Sequence, residues 1–423
     1  MTNMNQPDVL ISGAGLAGLC CGRRLAQCGV SFQILEASDA VGGRVRTDVV
    51  DGFRLDRGFQ IYLPEYPEGR RVLDYGPLDL RPFTRGALVR IGGRFHRVAD
   101  PRTEPLTAFR SLFNPVGTAG DKLHLAPFKW ALDGGTLEQQ TACPDVSTLD
   151  LLRGEGFSES LLDHLFRPFL GGVFLESDLA TSSRFFRFVF RTFAAGGGAV
   201  PAAGMQVIPD QIAAGLPASA VRFGARVQAV GPAGVHLADS TALPARAVVI
   251  ATEGPEAARL LNGEVPDPGS NGTVTLYYAA AHPPVREPIL VLDGERSGPV
   301  NNLVVMSEVS PAYAPPGQAL VAASVIGVPP DSDADLDRRV RGQLTGWYGS
   351  AVGGWRLLRV YRIPHALPDQ SAGVLEPWQR PVRLRAGLYV CGDHRDNASI
   401  DGAMTSGFRA AQAVMEDLSE KRA

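Results

Sequence analysis

Asp8-Val9-Leu10-Ile11-Ser12-Gly13-Ala14-Gly15-Leu16-Ala17-Gly18 is the stretch that decides the fold. Val9, Leu10 and Ile11 stand in a row, which reads as a short strand buried on both faces. The glycines follow at once, and a helix pattern continues to about Cys28. Gly13 permits a tight turn, Gly15 lets the backbone approach a pyrophosphate, and Gly18 lets helix and strand pack closely. The free N–H groups at the helix start favour phosphate charge. A second strand runs from Ser31 to Leu35 and ends in Glu36, 18 residues after Gly18. An acidic side chain there accepts hydrogen bonds from ribose hydroxyls and repels a 2′-phosphate, which argues against NADP. The contacting set expected here is Gly13, Ala14, Gly15, Leu16, Ala17 and Gly18, with Glu36 and Ala37. The bland alternative is a glycine-rich turn without function.

Ala40-Val41-Gly42-Gly43-Arg44-Val45-Arg46-Thr47 comes next. A Gly-Gly-Arg turn brings backbone and guanidinium to the same pyrophosphate, and the arginine fork matches phosphate oxygens. The alternative places Arg44 and Arg46 on a solvated hairpin edge. With GAGLAG, the acid and GGR in order, the chain resembles the FAD superfamily that holds amine oxidases, protoporphyrinogen oxidases and phytoene desaturases. Asp56-Arg57-Gly58-Phe59-Gln60 extends the resemblance, since the family often packs an Asp-x-Gly under the cofactor.

The far end of the chain resembles the second flavin motif of that family. Arg385 to Cys391 reads as a buried strand ended by Gly392-Asp393, and Gly402-Ala403-Met404 is expected to open a helix. The resemblance implies that Gly392 and Asp393 serve the ribityl side and that Gly402, Ala403 and Met404 form the helix start. Arg226 to Val230 and Ala247 to Thr252 read as strands of the nucleotide domain. The family touches adenine with a Val of the first strand, which implies Val227. Pro201-Ala202-Ala203-Gly204-Met205 resembles the Pro-x-x-Gly-Met turn of the family. The resemblance spans the first 60 residues, roughly 200 to 260, and roughly 385 to 417.

The expected fold is therefore α/β: a Rossmann-type FAD-binding domain (GR2-like flavoprotein) with an inserted α+β substrate domain. The FAD domain is expected to be discontinuous, over 1–80, 200–262 and 376–423. The substrate domain takes 81–199 and 263–375. Insertions of this kind carry specificity. In Arg184-Phe185-Phe186-Arg187-Phe188-Val189-Phe190-Arg191-Thr192-Phe193 the arginines repeat at helical spacing and Phe covers the other faces. The preferred reading is a packed helix whose arginines reach solvent. A greasy channel wall and a membrane-surface contact are the alternatives, and the run His164 to Phe174 is read likewise. Tyr361 and His365 are the catalytic candidates: the resemblance implies that the segment before the second flavin motif lies over the flavin. A structural role for His365 is the competing reading.

Composition sets limits. The 423 residues carry 45% hydrophobic and 20% charged side chains, ordinary for two globular domains. A net charge of -3 offers no basic field for nucleic acid. Cys20, Cys21, Cys28, Cys143 and Cys391 form no CxxC or Cys/His set, so neither metal nor disulfide framework is expected. MTNMNQPDVL lacks the character of a signal peptide, no apolar run spans a membrane, and a cytoplasmic protein is expected. The expected partner is a small-molecule or lipophilic substrate, with peripheral membrane contact open. The electron acceptor, the oligomeric state and covalent attachment of FAD are left open. No GxSxG elbow or hydrolytic triad stands out.

Hydride transfer to flavin needs a dry pocket more than a strong base. Amine oxidases commonly place an aromatic residue before the C-terminal helix. By spacing that wall falls at Ser399 or Ile400. The family's active-site Lys has no recognisable equivalent in Lys122 or Lys129. Both departures favour an isoprenoid or carotenoid-type desaturase, or a related lipid oxidoreductase. An amine oxidase, a protoporphyrinogen-type oxidase and a non-catalytic flavin-binding protein are the alternatives.

Overall fold

The computed structural model describes residues 6–100, 104, 107, 114–133, 143–374 and 376–420. Met1 to Asn5 and Lys421 lie outside the described residues, as does the side chain of Lys129. The amino-terminal segment gives β1 (Val9–Ser12), α1 (Leu16–Gln27), β2 (Phe32–Leu35) and the hairpin β3 (Thr47–Val50) and β4 (Phe53–Asp56). Then come β5 (Gly86–Ile91), β6 (Arg94–Ala99), α2 (Arg167–Phe174) and α3 (Ser183–Gly196). The middle holds β7 (Val221–Arg222), β8 (Val227–Gly231), β9 (Gly234–Leu237), β10 (Ala242–Pro244) and β11 (Ala247–Ile250). It is followed by β12 (Ser270–Ala280), β13 (Leu290–Asp293), β14 (Asn302–Val305), β15 (Ala319–Ile326) and β16 (Arg356–Pro368). The chain closes with β17 (Arg383–Arg385), β18 (Leu388–Val390) and α4 (Ile400–Glu420).

The nucleotide-type sheet has the order β17-β18-β11-β1-β2-β7. All its pairings are parallel except β17 with β18. Its central strands are buried along their whole length, as a parallel sheet covered on both faces requires. Helices α1 and α4 pack together against it. A Cβ on Gly407 would lie 2.1 Å from the Ala17 carbonyl oxygen, so only glycine allows this crossing. The approach matters for function because it brings the starts of both helices to one side of the sheet.

The second sheet has the order β16-β12-β15-β14-β13-β5-β6 and is antiparallel except for β13 with β5. Its strands come from residues 86–99 and 270–368. One face packs on the main core with Tyr277, Ala322 and Val304, and the other on a separate cluster with Tyr278, Val321 and Leu303. This alternation is the period of two expected for strands.

Three local expectations need correction. The strand expected over Arg385 to Cys391 is interrupted at Gly387, whose φ is +86°. Residues 383–385 form an antiparallel edge strand instead. β8 does not join the parallel sheet; it pairs with β9 in a small three-stranded antiparallel sheet. Helix α4 begins at Ile400 rather than at Gly402. Ser399 supplies the reason: its Oγ accepts the Gly402 N–H at 3.0 Å and its carbonyl accepts the Ala403 N–H, which is N-capping behaviour. No helix among the described residues is long and apolar enough to cross a membrane.

Candidate active site

A cavity of about 590 Å³ runs from the carboxyl ends of the parallel strands to the core-facing side of the antiparallel sheet. Ligands of open α/β sheets bind at such strand ends. Its two ends differ in chemistry.

The polar end is built on the glycine turn. Gly13 holds φ +107°, and a Cβ on it would lie 2.8 Å from the Ala251 carbonyl oxygen. A Cβ on Gly18 would fall 2.0 Å from the Gly13 oxygen. Gly15, in contrast, has nothing within 4 Å of its Cβ position, so the backbone there is bare to the cavity. No side chain caps the first turn of α1, which leaves its amides for a ligand. Gly13, Gly15, Leu16 and Ala17 line this end. Ala14 and Gly18 do not. Ala14 is fully buried, and Gly18 packs on the turn.

Glu36 and Ala37 line the same end. The Glu36 carboxylate is only 9% exposed and is already fixed. Oε2 accepts the Ala14 N–H at 2.8 Å. Oε1 accepts the Ser38 N–H at 2.8 Å and the Ser38 hydroxyl at 2.7 Å. A carboxylate has about four lone-pair sites, so capacity for a ligand hydroxyl remains on Oε2. Val227 reaches the cavity beside Ala225 and Arg226.

Arg44 and Asp393 come from opposite ends of the chain and meet here. Arg44 Nη2 donates to Asp393 Oδ2 at 2.7 Å, and Nη1 donates to the Ala366 carbonyl at 2.6 Å. The aspartate side chain is 6% exposed and the arginine 31%. Gly42, Gly43, Gly392 and Ala403 also line the cavity. Gly402 and Met404 do not. A Cβ on Gly402 would meet the Asn397 backbone at 2.1 Å, and Met404 is fully buried in the main core.

Behind this wall lies a buried polar cluster. Burial lowers His394 to about 4, so its ring is neutral at physiological pH. Burial raises Asp396 to about 7 despite Arg409 beside it, and raises Asp401 to about 6 although it accepts the Glu68 N–H at 2.7 Å. Asp56, fully buried, is also raised to about 6 by burial. It accepts from Thr47, the Met205 N–H and Tyr313. It thereby ties the β3–β4 hairpin to the Pro201–Met205 turn, holding Arg57 to Ile61 along the cavity.

The apolar end is walled by Phe169 and Val173 of α2, Val189, Phe190 and Phe193 of α3, and Leu290. Phe169 and Phe193 meet with ring centroids 5.5 Å apart. Phe185, Val189 and Phe193 repeat at i, i+4 and i+8, the stripe one helix face presents. The preferred reading of this helix is therefore revised. One face packs internally, with Phe186 near Phe128, while the other lines the cavity. Arg184 does not extend into solvent: it is 11% exposed, bonded to the Cys143 carbonyl and paired with Glu376.

Ala398, Ser399 and Ile400 line the cavity, and none of them is aromatic. Lys122 donates to the Asn114 carbonyl and is not part of the cavity lining. Tyr361 and His365 are not among the lining residues either. The Tyr361 hydroxyl donates to Asp48 Oδ2 at 2.7 Å, and His365 Nδ1 lies 3.0 Å from Ser270 Oγ. Ile363, Ala366 and Leu367 line the cavity instead. Tyr361 shares the face of Ile363 but packs on Tyr277, and beyond Ile363 a register shift opposite Asn271 and Thr273 changes which residues of β16 face inward. Sequence reasoning also missed Leu63, Tyr66 and Thr252, which carry no motif. The described residues hold no group of three His, Cys, Asp or Glu side chains arranged for a metal. Cys20, Cys21 and Cys391 are buried, and burial pushes the Cys391 thiol up to about 12.

Comparison with known proteins agrees with this geometry. A family model described as flavin-containing amine oxidoreductase matches residues 16–415. A hydroxysqualene dehydroxylase of Rhodopseudomonas palustris is 27% identical over 96% of this chain and 98% of its own length. A putrescine oxidase of Kocuria rosea is 42% identical, but over 16% of this chain and 14% of its own length. The solved structure of an oxidoreductase from Methanosarcina mazei superposes with a TM-score of 0.73 at 18% identity, covering 96% of this chain and 99% of that one. At that identity the likeness bears on the fold.

Proposed function

The chain belongs to the flavin-containing amine oxidoreductase family and is an FAD-dependent oxidoreductase; from that premise we propose that its substrate is a lipophilic molecule of the isoprenoid or carotenoid type. One observation carries the reading. Carboxylates lining the cavity (Glu36, Glu253, Glu256 and Asp393) stand with the residues of the polar end, while α2, α3 and Leu290 present only hydrocarbon and aromatic surface. An ammonium group there would be desolvated without a counter-charge, a costly state. A hydrocarbon chain gains by the same burial.

We assign the FAD pyrophosphate to Gly13, Gly15, Leu16, Ala17 and the Gly42-Gly43-Arg44 turn, the ribose to Glu36 and the adenine to Val227. Gly392, Asp393 and Ala403 complete the flavin side. The division of the chain into the FAD-binding and substrate domains given above belongs to the same proposal. Bound FAD supplies the hydride acceptor or donor for a substrate C–H bond. The bare turn and helix starts hold the phosphates by backbone N–H groups. Phe169, Phe190 and Phe193 exclude water and align the substrate chain. Tyr361 and His365 have no assigned step, since both side chains are engaged elsewhere.

The test is anaerobic mixing of the FAD-loaded enzyme with squalene, phytoene and putrescine in turn, following the oxidised-flavin absorbance. The expected result is a spectral change with an isoprenoid and none with putrescine. Bleaching by the diamine, with peroxide release in air, would refute the lipophilic reading.

A further inference from the structure

The core-facing side of the antiparallel sheet carries Ala322 and Val304, the ring of Tyr277, the cavity-lining Thr273 and one further polar cross-strand row. Asn302 on β14 stands opposite Ser324 on β15, and Ser324 stands opposite Thr275 on β12. Directly opposed residues of antiparallel strands share a face. Thr275 is in use, its Oγ1 accepting the Phe59 N–H at 3.0 Å. Ser324 Oγ is buried without a hydrogen-bond partner among the described residues.

Asn302 is 3% exposed and lines the cavity. The orientation of its amide follows from its neighbour. Asn301 Nδ2 donates to the Pro168 carbonyl at 2.9 Å, and a carbonyl only accepts, so that atom is nitrogen. The same nitrogen lies 3.0 Å from Asn302 Oδ1, which must therefore be the oxygen. Asn302 Nδ2 is turned away from this contact and meets no acceptor among the described residues. The donor borders the cavity, where a ligand oxygen can meet it, and a donor covered by a ligand is costly unless that ligand pairs it.

We infer that Asn302 is a specificity residue that donates a hydrogen bond from Nδ2 to an oxygen of the substrate. The substrate class is thereby narrowed to lipophilic molecules carrying a hydroxyl or carbonyl oxygen. This rests on the lipophilic reading of the same cavity. A site built to bond an oxygen rejects the analogue that lacks it, because the amide is then left unpaired. The rest of the lobe treats the two alike.

The experiment titrates FAD-loaded protein with a linear triterpene alcohol and with its parent hydrocarbon, reading the flavin difference spectrum and flavin retention. In the unaltered protein the alcohol is expected to bind at least about 10-fold tighter, or about 1.4 kcal/mol. Asn302→Leu is expected to abolish that gap by weakening the alcohol alone, with flavin retained. Asn302→Asp, titrated at a pH where its carboxyl is ionised, keeps the acceptor for Asn301 but lacks the donor, so it should lose the gap even if the leucine variant folds poorly. Equal binding of both probes to the unaltered protein, a gap that survives in both Asn302 variants, or flavin loss on removing the donor would each overturn the inference. Failure of both probes to bind would overturn the lipophilic reading with it.

Discussion

The two ends of the cavity are built from opposite materials. The polar end is mostly backbone: a glycine turn, two helix starts, and a few carboxylates and arginines fixed before any ligand arrives. The apolar end is all side chain, contributed by α2, α3 and one face of a sheet. Preorganised amides and charges bind one shape of anion closely, whereas greasy walls bind by area. The difference implies that the two ends can be damaged separately.

Replacing Glu36 with Ala should do the most harm. It removes the proposed ribose acceptor and strands the buried Ala14 N–H that now donates to Oε2. The expected loss is about 2–3 kcal/mol of FAD affinity, or roughly 100-fold, read as flavin released on dilution. Retention of FAD at the original affinity would remove Glu36 from the assignment. Asp393→Asn is expected to cost less, about 10-fold in FAD affinity. It breaks the ion pair with Arg44, whose guanidinium is partly solvated and keeps the Ala366 carbonyl.

Phe193→Ala opens the apolar end. Isoprenoid binding should weaken by about 1–2 kcal/mol, less than the cost at a fully packed core site, while FAD affinity stays unchanged. Equal loss of flavin would show that the ends are not separable. The smallest effect concerns the polar cluster behind the wall. Burial lifts Asp396 from an ordinary 3.8 to about 7. Its contribution is thus full below the unfolded value and is lost as pH rises through about 7. Thermal stability of the unaltered protein should fall between about pH 4 and pH 7, and Asp396→Asn should flatten that slope by a few degrees. An unchanged slope would place the titration elsewhere.

The same contrast explains what the sequence made legible. Phosphate binding demands a particular backbone path, and that path needs glycine at fixed spacing, so Gly13, Gly15 and the Gly42–Gly43 turn were readable. Glu36 was readable because its strand ends there. The Gly402-Ala403 pair points to a helix start two residues later than the true one, because the cap is Ser399, an ordinary N-cap residue. The apolar end carries no such code. In α3 phenylalanine occurs on several faces, so spacing alone did not tell the cavity stripe from the packed one. Tyr361 and His365 follow from likeness alone; Tyr361 lies on the face of Ile363 but is held by Asp48, and the shift beyond Ile363 leaves Ala366 and Leu367 lining the cavity. Asn302 has no motif at all; only the amide geometry with Asn301 reveals its free donor.

The most direct test of the two-ended cavity is a crystal structure of the FAD-loaded protein with a long-chain isoprenoid bound. The account predicts the pyrophosphate over Gly13 to Ala17, a ribose hydroxyl on Glu36, and ligand density along Phe169, Phe190 and Phe193. A pyrophosphate seated away from the glycine turn, or ligand density that avoids the phenylalanine wall, would contradict it.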